Sequence, residues 1–314
     1  MTVAPIPTAT QFDRKLSIAK PKQKPEANAP GVNPRILLTP SVVLLLIWMI
    51  VPLAMTLWFS TQRYNLLNPG IGGFVGFRNY EYLLRDPALL GAVINTVLLV
   101  GGVLIVSVVC GVLLALLLDQ RFPGRNLCRL LAIAPFVVMP TVSALVWKNL
   151  LMHPVNGLFA WIASLLGLPA IDWFTNYPLF SIGIIVAWQW IPFATLILLT
   201  ALQSLDHEQM QAANIDGARG FQLFRHIILP HLYRPITIVA MIETIFLLSI
   251  FAEILVTTSG GPGTQSMTLP FLIYKIALQD WNVGGASAGG VFAIILANIV
   301  AFFLIRSIAH NLER

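Results

Sequence analysis

The chain has 314 residues, of which 57% are hydrophobic and only 10% are charged. Ordinary soluble domains contain roughly 25% charged residues, so this composition excludes a water-surrounded fold and indicates lipid around most of the protein. The net charge of +6 comes with no zinc-ligand spacing, RNA-binding motif or basic-aromatic stripe. We therefore expect no nucleic-acid binding.

Residues 1–35 contain six prolines and six Lys or Arg but few large apolar residues. Such a segment cannot bury enough apolar surface to fold, and we predict a disordered, basic tail. It lacks the apolar core and the cleavage site of a signal peptide. Residues 36–314 then form one membrane domain.

Six later stretches are long and apolar enough to cross a bilayer, which takes about 20 residues. They are Ile36–Ser60, Ala92–Leu118, Leu127–Leu151, Leu179–Leu202, Ile236–Thr258 and Ala286–Ile308. Loops rich in Gly, Pro, Asn and charge separate them. The predicted fold class is therefore all-α, a polytopic membrane protein with six transmembrane helices.

The distribution of Lys and Arg predicts the orientation of these spans. If the tail is cytoplasmic, all but five of the 19 Lys and Arg fall on the cytoplasmic side. The five exceptions are Arg63, Arg78, Arg85, Lys148 and Lys275. Both termini are therefore predicted to lie inside, as is the loop 203–235 between the fourth and fifth spans.

This cytoplasmic loop contains a polar stretch, AANIDGARGFQLFRHIILP, between two apolar blocks. Asp216-Gly217 is predicted to interrupt a helix, with Asp216 capping the next turn. Phe221, Phe224 and the two following isoleucines recur at helical spacing, which predicts a short amphipathic helix that ends at Pro230. Such a helix suits either the headgroup layer or a groove on a cytoplasmic partner.

Ten positions of this loop follow the pattern E-A-A-x-x-D-G-A-x5-F-x-x-I-x-L-P. They are Gln211, Ala212, Ala213, Asp216, Gly217, Ala218, Phe224, Ile227, Leu229 and Pro230. The pattern resembles the ATPase-coupling loop in the membrane subunits of binding-protein-dependent ABC importers. The one departure is Gln211, where the family usually has Glu. The resemblance implies a coupling helix that docks on a cytoplasmic ATPase, with Phe224 and Ile227 as its apolar anchors.

The resemblance continues along most of the chain after residue 35. The segment 75–80 is similar to a G-x-x-N-Y loop, Asn95-Thr96 is expected to open the second span, and 259–262 follows a T-x-G-G-P turn. The chain resembles the first permease subunit of maltose-related carbohydrate importers. Residues 259–281 look most like the polyol importers for mannitol and sorbitol.

The resemblance implies several partners that this chain would need in the bacterial cytoplasmic (inner) membrane. No G-x-x-x-x-G-K-[ST] loop is present, so ATP and Mg would be bound by a separate ATPase dimer. A second homologous permease and an extracytoplasmic solute-binding protein complete the implied importer. We expect no catalytic residue, no metal site and no cofactor in this chain, which is then not an enzyme.

Polar and aromatic groups within the spans are candidate substrate contacts, because such groups are costly against lipid. The fourth span contains Trp188, Gln189, Trp190 and Phe193, with Pro192 expected to kink the helix. The resemblance implies substrate contact at Trp190 and Phe193. These tryptophans could equally pack between helices or anchor the membrane interface.

The fifth span contains the only two acidic residues within a predicted membrane segment, Glu243 and Glu253. We predict Glu253, with Ser249 one turn away, as a contact for a polyhydroxylated solute. Glu243 lies nearer the cytoplasmic end, where it would either contact the substrate or pair with a base of a partner subunit or an interfacial Arg. Lys148 is expected to reach the outer headgroups. A neutral polyol or sugar is the favoured substrate. A disaccharide, glycerol-phosphate and a secondary, ion-driven sugar transporter are the alternatives.

Overall fold

In a computed structural model, the protein is described over residues 34–218 and 220–312, most of them helical. The helices are α1 Pro34–Ser60, α2 Arg78–Arg85, α3 Pro87–Asp119, α4 Arg125–Val137, α5 Pro140–Val146, α6 Leu158–Leu165, α7 Trp173–Asn176, α8 Pro178–Gln203, α9 His207–Ile215, α10 Phe221–Leu223, α11 Leu229–Leu247, α12 Ala252–Thr257, α13 Leu269–Tyr274 and α14 Val283–Leu312. Wider π-helical turns follow α5, α10 and α13. Of the predicted tail, residues 1–33 lie outside the described part of the chain.

The chain divides at Pro52 into two compact units. The described part of the first is the beginning of α1, whose side chains from Leu38 to Pro52 are all exposed. The second unit, Leu53–Arg314, contains every site discussed below. Within it, two-residue strands β1 (Gln62–Arg63) and β2 (Gly73–Phe74) pair antiparallel, a small exception to the all-α prediction.

Four of the six predicted spans are single helices in the structure, namely α1, α3, α8 and α14. Each is long and apolar enough to cross a membrane, and the pair α4 and α5 adds a fifth candidate if it counts as one bent span. The fifth predicted span is divided between α11 and α12. Within the described residues, length and composition thus identify four or five spans, and six remains a prediction.

The third predicted span is broken by a 103° bend between α4 and α5. Val138 and Met139 are extended, with ψ of 133° and 135°, and Pro140 begins α5. A residue that precedes proline is disfavoured in the helical region because of the proline ring. This explains why the helix restarts at Pro140 instead of continuing.

The break between α11 and α12 has a different cause. The Ser249 N–H donates to the carbonyl of Phe246 at 3.0 Å, and the Ser249 hydroxyl donates to the same carbonyl at 2.7 Å. A serine that bonds its own backbone competes with the helical ladder. The chain therefore turns tightly after Leu247 and resumes as a helix at Ala252.

The core of the second unit is built on α3 and α8, which form its most extensive helix–helix contact. At Gly111 the helices approach so closely that a Cβ atom would lie 2.7 Å from the Cβ of Ala194. Two buried apolar clusters lie along this pair. One involves the first halves of α3 and α8, and the other their second halves together with Ile228, Leu232 and Val239.

Helix α3 begins earlier than its sequence motif suggests. Asp86 caps it by accepting a hydrogen bond from the Ala88 N–H at 2.8 Å, with Pro87 in the first turn. Asn95 therefore lies well inside the helix and does not open it. Its amide donates to the carbonyls of Thr264 and Met267 at 3.1 and 2.9 Å, which ties the loop after α12 to α3.

Candidate functional site

A cavity of about 260 Å³ lies where the two broken helices meet α8. Its lining comes from the end of α4 and start of α5 (Phe136, Val138, Pro140), from α8 (Gln189, Trp190), and from the break before α12 (Phe246, Ser249, Ile250, Phe251, Ala252, Glu253). Broken helices within membrane segments expose backbone polar groups where these can line a cavity. The cavity thus combines backbone and side-chain polar groups with aromatic surface.

Three of the predicted substrate contacts supply the polar side chains of this cavity. Glu253 is 4% exposed and is the only ionisable residue among the described residues that line it. Gln189 is also buried, and its amide donates to the Val138 carbonyl at the α4–α5 break, at 3.2 Å. Ser249 lies at the other break. The cavity therefore offers hydrogen-bond acceptors, and its described lining includes no cation.

Aromatic rings form one wall of the cavity. Trp190 lies 5.8 Å from Phe136 and 5.4 Å from Phe246, measured between ring centroids. Phe193 stacks on Phe136 at 5.6 Å and contacts Trp190 edge-on at 5.8 Å. Phe193 is not among the lining residues and supports the wall from behind.

Trp188 lies away from this cavity. Its ring contacts Trp147 at 5.8 Å, and that ring contacts Phe159 at 6.2 Å. This second aromatic cluster includes Trp173 and has no residue in common with the cavity. The structure thus brings Gln189, Trp190, Ser249 and Glu253 together, places Phe193 next to them, and separates Trp188.

Three aromatic residues of the cavity, Phe136, Phe246 and Phe251, were not predicted from the sequence. A signal for the first was present, because Phe136 lies between Pro135 and Pro140, where a helix is prone to break. Phe246 and Phe251 flank Ser249, the polar residue at the second break. Aromatic residues beside a helix break were therefore available as markers.

The prediction that Lys148 reaches the outer headgroups is wrong. Its ammonium group donates to the carbonyls of Val256 and Thr257 at 3.1 and 2.6 Å. These carbonyls end α12, where the helix dipole favours a positive charge. Lys148 thus fixes the helix that carries Glu253.

Glu243 is fully buried and does not line the cavity. Its carboxylate accepts a hydrogen bond from the Ser107 hydroxyl of α3, while its other oxygen has no partner among the described residues. The expected pairing with an interfacial Arg is therefore not seen there, and pairing with a base of a partner subunit stays a prediction. Across residues 34–218 and 220–312, no three His, Cys, Asp or Glu side chains are grouped as a metal site would require.

The coupling motif begins on α9 and leaves it through Gly217. The Ala218 N–H donates to the Ala213 carbonyl at 2.9 Å, and Gly217 has φ of +83°. This is the Schellman ending of a helix, in which a glycine takes the left-handed conformation. The predicted interruption at Asp216-Gly217 is confirmed, and its physical cause is this glycine.

Two predictions about the next helix are wrong. Gly220, not Asp216, holds the cap position of α10, and no side chain caps it. Pro230 does not end the helix, because α10, a π-helical turn over Phe224–Ile228 and α11 follow one another without a gap. In the wider turn the Leu229 N–H bonds the Phe224 carbonyl, five residues back, just before the proline that lacks an N–H.

The two apolar anchors predicted for the coupling helix, Phe224 and Ile227, face inward in this structure. Phe224 and Ile227 are partly buried against the cluster that contains Ile228 and Leu232. The most exposed large apolar side chains of the segment are Ile215 and Phe221, which are 86% and 71% exposed. Ile215 was not predicted as a contact, because it lies inside the motif at a position without a fixed residue type.

The remaining motif positions form an accessible surface around Gly217. Gln211, Ala212, Asp216, Leu229 and Pro230 are exposed, while Ala213 and Ala218 are half-buried. His231, which follows the motif, donates from its Nε2 to the Ala201 carbonyl at the end of α8, at 2.9 Å. The loop is thereby fixed to the membrane helices.

These features define a helical membrane protein with an internal polar cavity and an exposed turn at one end of its bundle. Residues 107–314 match the model of the binding-protein-dependent transport system inner membrane component, and the chain belongs to this family. It is therefore a multi-pass inner-membrane permease component of a transport system.

Curated relatives cover most of the chain. A probable ABC transporter permease protein of Sinorhizobium fredii is 36% identical over 79% of this chain and 81% of its own length. The trehalose/maltose transport system permease protein MalF of Thermococcus litoralis is 32% identical, covering 85% and 91%. The sn-glycerol-3-phosphate transport system permease protein UgpA of Agrobacterium fabrum is 26% identical, covering 90% and 96%.

The fold itself is found in solved structures. A chain from the crystal structure of a bacterial ABC transporter involved in the import of the acidic polysaccharide alginate matches with a TM-score of 0.73 and 22% identity. The match covers 87% of this chain and 93% of that chain. A second structure of a bacterial alginate ABC transporter, in complex with a periplasmic protein bound to an alginate pentasaccharide, gives a TM-score of 0.72.

Proposed function

We propose that this chain is a permease subunit of an ATP-driven ABC importer that moves a neutral polyol or sugar into the cell. The observation that carries the proposal is the cavity at the two helix breaks, with Glu253, Gln189 and Ser249 beside the ring of Trp190. Carboxylate and amide oxygens accept hydrogen bonds from hydroxyl groups. The aromatic wall packs against the C–H faces of a sugar or a linear polyol.

The charge of the cavity favours a neutral solute over a phosphorylated one. Glu253 would repel a phosphate, and no Lys or Arg lies among the described lining residues to neutralise it. A glycerol-phosphate substrate, as in the name of one relative, therefore fits this cavity less well. The trehalose/maltose relative supports a sugar, and the polyol assignment rests on the loop 259–281.

Alternating access would be driven by a separate ATPase dimer that docks on the segment 211–230. Ile215 and Phe221 offer exposed apolar side chains on either side of the Gly217 turn, as an anchor in a partner's groove requires. In this proposal the chain has six spans with both termini inside. A second permease completes the cavity, and an extracytoplasmic solute-binding protein delivers the solute.

Uptake into vesicles tests this proposal. The assembled importer is reconstituted with its binding protein, and uptake of labelled mannitol, sorbitol, maltose and sn-glycerol-3-phosphate is measured with and without internal ATP. We expect ATP-dependent uptake of a hexitol and none of sn-glycerol-3-phosphate. Uptake of maltose alone would keep the importer and replace the polyol, and uptake driven by an ion gradient without ATP would refute the coupling to an ATPase.

A further inference from the structure

A second polar cavity, of about 350 Å³, lies beneath the loop that follows α1. Its polar lining comes from three parts of the chain: Arg63 and Asn65 after α1, Arg78 and Asn79 on α2, and Asn282 just before α14. It shares no residue with the cavity that contains Glu253. On the predicted topology it opens on the extracytoplasmic side.

Hydrogen bonds between distant segments hold this pocket together. The buried amide of Asn79 donates to the carbonyls of Ser60 and Gln62 at 2.8 and 2.9 Å. The Leu66 N–H donates to the Trp281 carbonyl at 2.9 Å, and the Gly284 N–H to the Tyr64 carbonyl at 3.1 Å. The pocket is therefore a built feature of the fold, not a gap between loose loops.

The two arginines of the pocket have no carboxylate partner in the described part of the chain. The ion pairs found there involve Arg85 and Arg125 instead. The Nε of Arg78 donates to the Tyr82 hydroxyl at 2.8 Å, and its guanidinium lies 5.4 Å from the centre of that ring. The contact with Tyr82 orients the guanidinium and leaves its two terminal nitrogens available. These two nitrogens can bind a carboxylate in a bidentate manner.

Large apolar side chains stand exposed around the same loop. Phe74, Phe77 and Leu67 are 73%, 80% and 65% exposed, and Ile71, which lines the pocket, is 62% exposed. Arginine surrounded by aromatic and apolar residues is the composition of a protein–protein hot spot. A small free anion would use the arginines but would leave this apolar surface uncovered.

We propose that this pocket receives an Asp or Glu side chain of the extracytoplasmic solute-binding protein, with Arg63 and Arg78 binding its carboxylate. The surrounding apolar side chains then pack against the surface of that protein. This inference rests on the proposed function, because it assigns the docking surface of one of its partners. It also gives a use for two of the five basic residues that the charge distribution places outside.

The test is a titration of the complete importer, in nanodiscs of neutral lipid, with the solute-loaded binding protein that stimulates its ATPase. The variant R63Q/R78Q should raise the half-saturating concentration of binding protein by about tenfold or more, with the maximal ATPase rate unchanged. The variant R85Q is the matched control, since Arg85 is on the same helix α2 but pairs with Glu81 at 2.6 Å. It should titrate like the wild type.

A second variant guards against a folding defect. R78K keeps the charge but loses the bidentate edge and the contact with Tyr82, so it should fall between the wild type and the double variant. Equal titrations for the wild type and R63Q/R78Q would overturn the proposal. An effect of the double variant that appears only in nanodiscs with anionic lipid would overturn it too, because the pocket would then bind a lipid headgroup. If the binding protein does not stimulate the wild-type ATPase at all, the proposed function fails and the docking site with it.

Discussion

Gly217 offers the sharpest test of the coupling segment, because the cost of replacing it can be worked out from the backbone alone. Its φ of +83° is in the left-handed region, and a Cβ at this position would meet no atom within 4 Å. Gly217→Ala therefore causes no clash, and its cost is that of the left-handed conformation, about 1–2 kcal/mol. Asn tolerates this conformation better than Ala, so Gly217→Asn should cost less.

This cost should be visible as a local loss of stability at the end of α9. The Ala218 N–H is held by its bond to Ala213, and weakening the turn by about 1–2 kcal/mol should speed its exchange roughly 5- to 30-fold. Hydrogen-exchange mass spectrometry of peptides that cover residues 211–220 measures this in the purified complex. Uptake driven by ATP should fall in the same order, with Gly217→Asn between Gly217→Ala and the wild type.

Gly124 is the matched control for this experiment. It has φ of +84° and open space around its Cβ position, and it lies in another loop, before α4 and outside the coupling motif. Gly124→Ala should show the same local increase in exchange at α4 but normal uptake. Equal exchange in Gly217→Ala and the wild type would refute the structural reasoning, and equal loss of uptake in both alanine variants would refute the special role of the coupling turn.

Three further predictions concern the cavity. Glu253→Gln should raise the half-saturating solute concentration for uptake about 5- to 13-fold, because a hydrogen bond to a charged acceptor is worth about 1–1.5 kcal/mol more than one to a neutral acceptor. An unchanged half-saturating concentration would show that Glu253 does not contact the solute. Trp190→Leu should raise the same concentration about 2- to 13-fold through the loss of one ring contact, whereas Trp188→Leu, in the other aromatic cluster, should not. Lys148→Met should lower the stability of the purified complex by about 2 kcal/mol in thermal unfolding and weaken uptake. Lys148→Arg should keep both the stability and the uptake of the wild type. Identical melting curves for Lys148→Met and the wild type would argue against the contact with α12.

The positions of the long helices could be predicted from the sequence, whereas their breaks could not. Hydropathy over a window of about 20 residues identifies α1, α3, α8 and α14, because an apolar run of this length is rare outside a membrane span. The sharp bend at Val138–Met139 depends on how a proline restricts the residue before it, and the same pattern in Trp190-Ile191-Pro192 leaves α8 unbroken. Tertiary packing decides between these outcomes, and it cannot be derived from the pattern of a single sequence.

The site residues show the same division. Glu253, Gln189 and Trp190 could be named in advance because polar and aromatic groups are unusual in apolar spans. Their neighbour Phe136 comes from a segment 53 residues before Gln189, and only the prolines around it marked it in the sequence. The bend between α4 and α5 brings its ring to 5.8 Å from that of Trp190, measured between centroids. Helical spacing placed Phe221 and Phe224 on one apolar face, but the core covers Phe224 and leaves Phe221 exposed.

The continuity of the helix past Pro230 connects the two halves of the proposed mechanism. Helical structure runs without a gap from Phe221 in the coupling segment to Leu247 beside the cavity, a distance of roughly 40 Å at 1.5 Å per residue. Phe246 near its end lines the cavity, and Phe221 at its start is exposed to a partner. A helix ending at Pro230 would have left a hinge between these residues. The π-helical turn preserves the helix instead. In the proposed mechanism, a partner that displaces Phe221 would therefore move a single element whose other end lines the cavity. The break after Leu247 is the first place where that movement could change the shape of the cavity.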